Sequence, residues 1–185
     1  MILTQSFVDE FRRANEERRN NGFGSLSDWH SREWVAALCG EAGEAANAAK
    51  KIRRLDAGLG DPNDRTQREH DYAEEIADCY VYADLVCIDQ QIGTAEMLVN
   101  VSADFDVAKT EFESCPSPMV FWIGTCKIIS QIDECVMANV VPINPMRKLL
   151  ARLMVAASYT TFDFETMIRE KFNTVSKRVG VDIHL

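Results

Sequence analysis

Residues 39–54 read CGEAGEAANAAKKIRR. Alanine is the strongest helix former, and five of these positions are alanine, so the stretch reads as helix in spite of its two glycines. Extended to both sides, the apolar stripe runs Trp34, Leu38, Glu41, Ala45, Ala48, Ile52, Leu55, in alternating steps of four and three. That is the spacing of a helix face turned toward a core. Glu41 stands on the stripe and Glu44 at its edge. A carboxylate on a buried face is unfavourable unless it is paired or holds a metal, and like charges three positions apart repel. Gly40 and Gly43 each destabilise a helix interior by roughly 1 kcal/mol relative to alanine. They imply room for a close helix neighbour or for a bulky ligand.

The same helical period recurs nearly everywhere, and no strand-like alternation of useful length interrupts it. Helices are expected over about 4–20, from a cap at Ser27 or Asp28 to about Leu55, and then over 65–91, 94–113, 119–138, 146–159 and 163–178. DAGLGDPND (56–64), SCPSP (114–118) and NVVPINP (139–145) are the connecting loops. IADCYVYADLVCI (76–88) is apolar on almost every face and predicts the buried helix of the bundle. The fold class is all-α, a helical bundle forming one domain over 1–185. An internal duplication is consistent with the pattern. Overlaying 38–44 on 128–134 sets Glu41 on Gln131 and Glu44 on Glu134. Overlaying 73–84 on 147–158 sets Glu75 on Leu149 and Asp78 on Arg152. In that division 1–113 is a metal-binding half and 119–185 a degenerate second copy with the C-terminal tail.

Composition narrows the function classes. A formal charge of −9 disfavours general binding to nucleic acid phosphates. Asp9, Glu10, Arg12 and Arg13 interrupt the N-terminus where the apolar segment of a signal peptide would sit. MVFWIGTC (119–126), the longest apolar run, is too short to cross a bilayer, so a membrane is not an expected partner. The six cysteines lack Cys-x-x-Cys spacing and read as reduced packing residues of a cytoplasmic protein rather than zinc ligands.

Glu75 and Asp78 repeat the three-residue spacing of Glu41 and Glu44 on the apolar third helix, in line with Tyr82 and Leu85. Four carboxylates from two neighbouring antiparallel helices can then converge, and hard oxygen ligands of that kind suit Mg²⁺ or Mn²⁺. A solvated acidic face is the plain alternative for either pair taken singly. A di-iron bundle needs Glu-x-x-His on its helices, whereas the histidines here follow Ser27, Gln67 and Val181 at that spacing. KKIRR (50–54) lies one to three turns beyond Glu44, and Lys50 is the member expected to meet a triphosphate; solvation near a helix C-terminus is its simpler reading. Trp29, Trp34 and Tyr82 suit either stacking on a nucleobase or plain packing.

GEAGEAANAAKK followed by EEIADCYVYADL resembles the all-α nucleoside triphosphate pyrophosphohydrolases of the MazG-like group, which are related to dimeric dUTPases. Their Glu-x-x-Glu, spacer, Glu-x-x-Asp signature is matched by Glu41, Glu44, Glu75 and Asp78. REKFNTVSKRVG (169–180) is similar to the tail of small phage and bacterial members, with Lys171 and Asn173 at polar positions near the substrate. The resemblance covers 29–92 and 160–180, and about 70 residues intervene where small members pass almost directly to the tail. It implies Mg²⁺-dependent hydrolysis of a nucleoside triphosphate, a dNTP or a non-standard nucleotide among the options, to a monophosphate and pyrophosphate. Glu44 is the expected base, and Lys50 or Lys171 meets transition-state charge. A homodimer is an open option. The alternative is a catalytically inert helical module that binds a nucleotide or a partner in the same groove.

Overall fold

The computed structural model describes residues 2–22 and 29–185, and these form eight α-helices and no strand. They are α1 (Gln5–Gly22), α2 (Ser31–Asp56), α3 (Arg65–Asp89), α4 (Thr94–Leu98), α5 (Val101–Ser114), α6 (Pro118–Met137), α7 (Ile143–Ser158) and α8 (Phe164–Val179), with a 3-10 turn at Pro62–Asp64. Local chemistry sets the boundaries. The Glu33 carboxylate accepts from the His30 amide, 2.5 Å, at the start of α2. Asp163 accepts from the Thr166 amide, 2.9 Å, at the start of α8, and Gly180 ends α8 in the left-handed region at φ 74°. The expected cap at Ser27 or Asp28 lies outside the described residues. The helix expected over 94–113 is two helices, because the chain turns at Val99 (φ −58°, ψ 123°) and Asn100 (φ 57°). Asparagine tolerates that conformation better than most residues.

α3 is buried along its centre, as its apolar circumference predicts. α7 is a second central helix: Leu149 to Ala157 are buried without interruption. That run includes Arg152, whose guanidinium lies over the Phe121 ring at 3.7 Å. It donates to Thr125 Oγ1 at 2.8 Å, to Glu111 Oε2 at 2.5 Å and to the Phe121 carbonyl. Gly124 makes this possible, since a Cβ there would meet Arg152 Nη2 and Glu111 Oε1 at 2.6 Å.

The packing has an exchange pattern. α2 lies on α3 as α6 lies on α7, α1 on α3 as α5 on α7, and α8 on α3 as α4 on α7. α2 and α6 pack on each other, as do the central helices α3 and α7. Among the described residues no helix is long and apolar enough to cross a membrane. All six cysteines are unbridged; Cys79 and Cys87 are buried, but Cys39 and Cys126 are exposed and are not core packing residues.

Candidate metal centre

The α2–α3 contact brings three of the four signature acids together. One carboxylate oxygen from each of Glu41, Glu44 and Glu75 lies within 4.8 Å of the others. Asp78, one turn beyond Glu75, is held by the Lys171 ammonium of α8 at 2.7 Å. Three acids therefore converge, and the fourth adjoins them with a cation of its own.

The electrostatics follow from that crowding. Burial, then the charges of Asp78, Glu44 and Glu75, push the Glu41 carboxyl up to about 7. Glu75 is raised by burial and by Asp78 and Glu44. Asp78 is raised by burial, although the hydrogen bond from Lys171 works against it. Burial acts against the Lys171 charge, yet the bond to Asp78 leaves the ammonium held more firmly than usual. Partly buried Glu41 and Glu75, whose carboxyls are both raised, converge with the exposed Glu44, and hard oxygen donors so placed fit a small divalent cation such as Mg²⁺ or Mn²⁺. His70, Asp71 and Glu74 form another close group, but Asp71 already accepts from Gln67 and Arg68.

The acids line a cavity of about 420 Å³. Trp34 lines it nearly buried, and Trp29 packs on Trp34 with ring centroids 4.4 Å apart and planes 31° apart. Val81, Tyr82 and Leu85 continue the α3 wall beyond Asp78, while Lys171, Phe172, Val175 and Arg178 come from α8. α1 adds Asn15, Arg18 and Arg19.

Two expected contacts are corrected. Lys50 is not among the cavity-lining residues: nine positions from Glu41, at about 100° each, carry it to roughly the other side of α2. Asn173 does not line the cavity either, because its amide exchanges two hydrogen bonds with the Leu185 backbone, 3.1 Å and 2.9 Å, and ties the C-terminal segment to α8. Gly40 and Gly43 admit no close helix; both are exposed, and a Cβ on either meets nothing within 4 Å. The α1 residues went unnoticed in sequence although a signal existed. Phe7, Phe11 and Ala14 are buried on one face, and Arg18 is the next position of that stripe. Comparison with family models, with curated proteins and with solved structures finds no match to this chain.

Proposed function

We propose that the protein is a divalent-metal-dependent nucleoside triphosphate pyrophosphohydrolase of MazG-like type, built as an internally duplicated bundle with one working site. The observation that carries this reading is the convergence of Glu41, Glu44 and Glu75 on the wall of a cavity that also holds Trp34, Tyr82 and several cationic side chains. A nucleotide has the matching parts: an anionic end for metal and cations, and a flat ring for aromatic surfaces.

Glu41, Glu44 and Glu75 would hold Mg²⁺. When bound, the cation would neutralise phosphate charge and acidify a water. Water attacks the α-phosphorus in line, the bond to the α–β bridging oxygen breaks, and pyrophosphate leaves with that oxygen. Glu44, exposed where Glu41 and Glu75 are partly buried, takes the proton of the attacking water. Lys171, bonded to Asp78, favours its ionised form beside the three glutamates and adds positive charge where negative charge develops. Trp34 and Tyr82 position the base.

The test is a panel of NTPs and dNTPs assayed for pyrophosphate with and without Mg²⁺. Release from at least one, dependent on the metal, is the expected result. Silence across the panel with both Mg²⁺ and Mn²⁺ overturns the reading, and nucleotide binding without turnover returns the protein to the inert-module alternative.

A further inference from the structure

α2 lies on α3 and α6 on α7, and α2 and α6 pack on each other. Their pairing is antiparallel: Arg32 near the start of α2 holds Asp133 near the end of α6 at 2.7 Å, while Ala46 meets Met119 and Ile123 near the start of α6. The outward face of this pair is nearly free of charge. α2 turns Ala36, Gly40, Gly43 and Asn47 to solvent, and α6 turns Met119, Ile123 and Ser130. Lys127 is the one charged residue of α6 between 118 and 132. The charges of α2 between 34 and 49 are Glu41 and Glu44, which belong to the cavity.

An apolar groove of about 600 Å³ runs along this face, lined by Ala46, Met119, Trp122, Ile123 and Cys126, and Ile123 in it is 58% exposed. Single exposed apolar residues are ordinary, whereas a contiguous apolar patch marks an interaction site. Gly40 and Gly43 weaken a helix interior relative to alanine, yet within the described chain nothing uses the room they leave. Charge identifies the occupant. One end of the face carries Lys50, Lys51, Arg53 and Arg54, which enter no ion pair among the described residues. The other end carries Glu33, Asp133 and Glu134 against Arg32. A face with a cationic end, an uncharged middle and an anionic end is complementary to itself turned end for end.

We propose that two copies of this chain associate through the α2–α6 face, α2 on the partner's α2 and α6 on the partner's α6, about a two-fold axis running across the helices. An axis between Gly40 and Gly43 sets Gly40 against the partner's Gly43, where the absent side chains let two backbones approach closely. It also brings Arg54 to about the height of the partner's Glu134. An axis along the helices would instead stack the cationic ends on each other. From Arg32 to Arg54 the face is about 33 Å long, and two helices side by side are about 18–20 Å wide, which gives roughly 600 Å² of projected surface per copy. Two such faces reach about 1,200 Å² in total, the lower edge of specific stable interfaces. The association needs no nucleotide, so its test stands apart from that of the hydrolase.

The experiment is sedimentation velocity of the full chain, without nucleotide, from about 1 to 100 μM. Wild type is expected to pass, as concentration rises, from the 20.9 kDa chain to a species of twice that mass. Ile123→Glu sets a charge in the groove and Gly43→Leu a bulky side chain at the axis. Each is expected to weaken the dimer about tenfold or more while the helical circular-dichroism spectrum stays unchanged. Should Gly43→Leu fail to fold, Ile123→Glu at its exposed position decides. Arg54→Glu and Glu134→Arg each weaken the dimer, more so at low salt, and the chain carrying both recovers it because opposed ends match again. A wild type that stays monomeric throughout, or a dimer that Ile123→Glu leaves intact, overturns the proposal. Weakening by both single charge variants without recovery in the double variant overturns the end-for-end arrangement.

Discussion

Replacing Glu41 by glutamine removes one charge from the crowded acids while keeping the shape of the side chain. Its carboxyl is raised from 4.5 to about 7, so folding holds the proton more tightly than the unfolded chain does. Metal-free stability contributed by this group is full below about 4.5 and is lost as pH rises toward about 7. In a fully buried site such a shift would correspond to about 3 kcal/mol. Glu41 is half-buried, and solvent screening reduces the figure to about 1–2 kcal/mol. At pH 8 without divalent ions, Glu41→Gln should therefore be the more stable protein, melting several degrees higher, since each kcal/mol moves the midpoint of a chain this size by about 2–4 °C. Wild type should gain stability between pH 8 and pH 5.5 more steeply than the variant. Mg²⁺ should reverse the order: a ligand at a hundred times its Kd adds about 2.7 kcal/mol to the protein that binds it, and the variant has lost a ligand. Scanning calorimetry at the two pH values, with chelator and with Mg²⁺, reads all of this. A metal-free variant less stable than wild type at pH 8, or an equal response of both proteins to Mg²⁺, would refute the account of the acids.

Two glycine substitutions test the packing. Gly40→Ala and Gly43→Ala place a methyl in open space within α2 and should each stabilise the metal-free fold by about 0.5–1 kcal/mol, read by urea denaturation. Gly124→Ala does the reverse, because its methyl collides with the buried Arg152 guanidinium; a loss of about 1–3 kcal/mol is expected by the same assay.

The helices were legible because their period is a local property, and the centre of α3 advertised its burial. α7 did not, since RKLLARLMVAAS shows two arginines, and only the tertiary partners of Arg152 make its burial tolerable. The break at Val99–Asn100 carries no glycine or proline to mark it. Within the site, Glu41 was legible as a charge on an apolar stripe. The same rule continued along α1 would have found Arg18, whose burial lowers its guanidinium to about 10. Lys50 was misplaced by counting turns without counting degrees. The engagement of Asn173 depends on a chain end folding back twelve residues later, which no periodicity reports.

The exchange pattern of the helices sets the two halves side by side, and the overlay that puts Asp78 on Arg152 then compares like positions on the two central helices. In the first half a carboxylate on the central helix is met by an ammonium, Lys171, arriving from α8. In the second a guanidinium on the central helix is met by a carboxylate, Glu111, arriving from α5. The sign is inverted, and the second half keeps its cation covalently, wedged over Phe121 and bound on several sides. The first half holds more carboxylate than Lys171 can balance, and a raised Glu41 carboxyl is the physical trace of that excess. A side-chain cation fixed in place needs no ion from solution, while the three glutamates facing the cavity have no such cation among them, which is where the proposed Mg²⁺ would act. On the proposed reading the two halves differ in which of them leaves its positive charge to be supplied from outside.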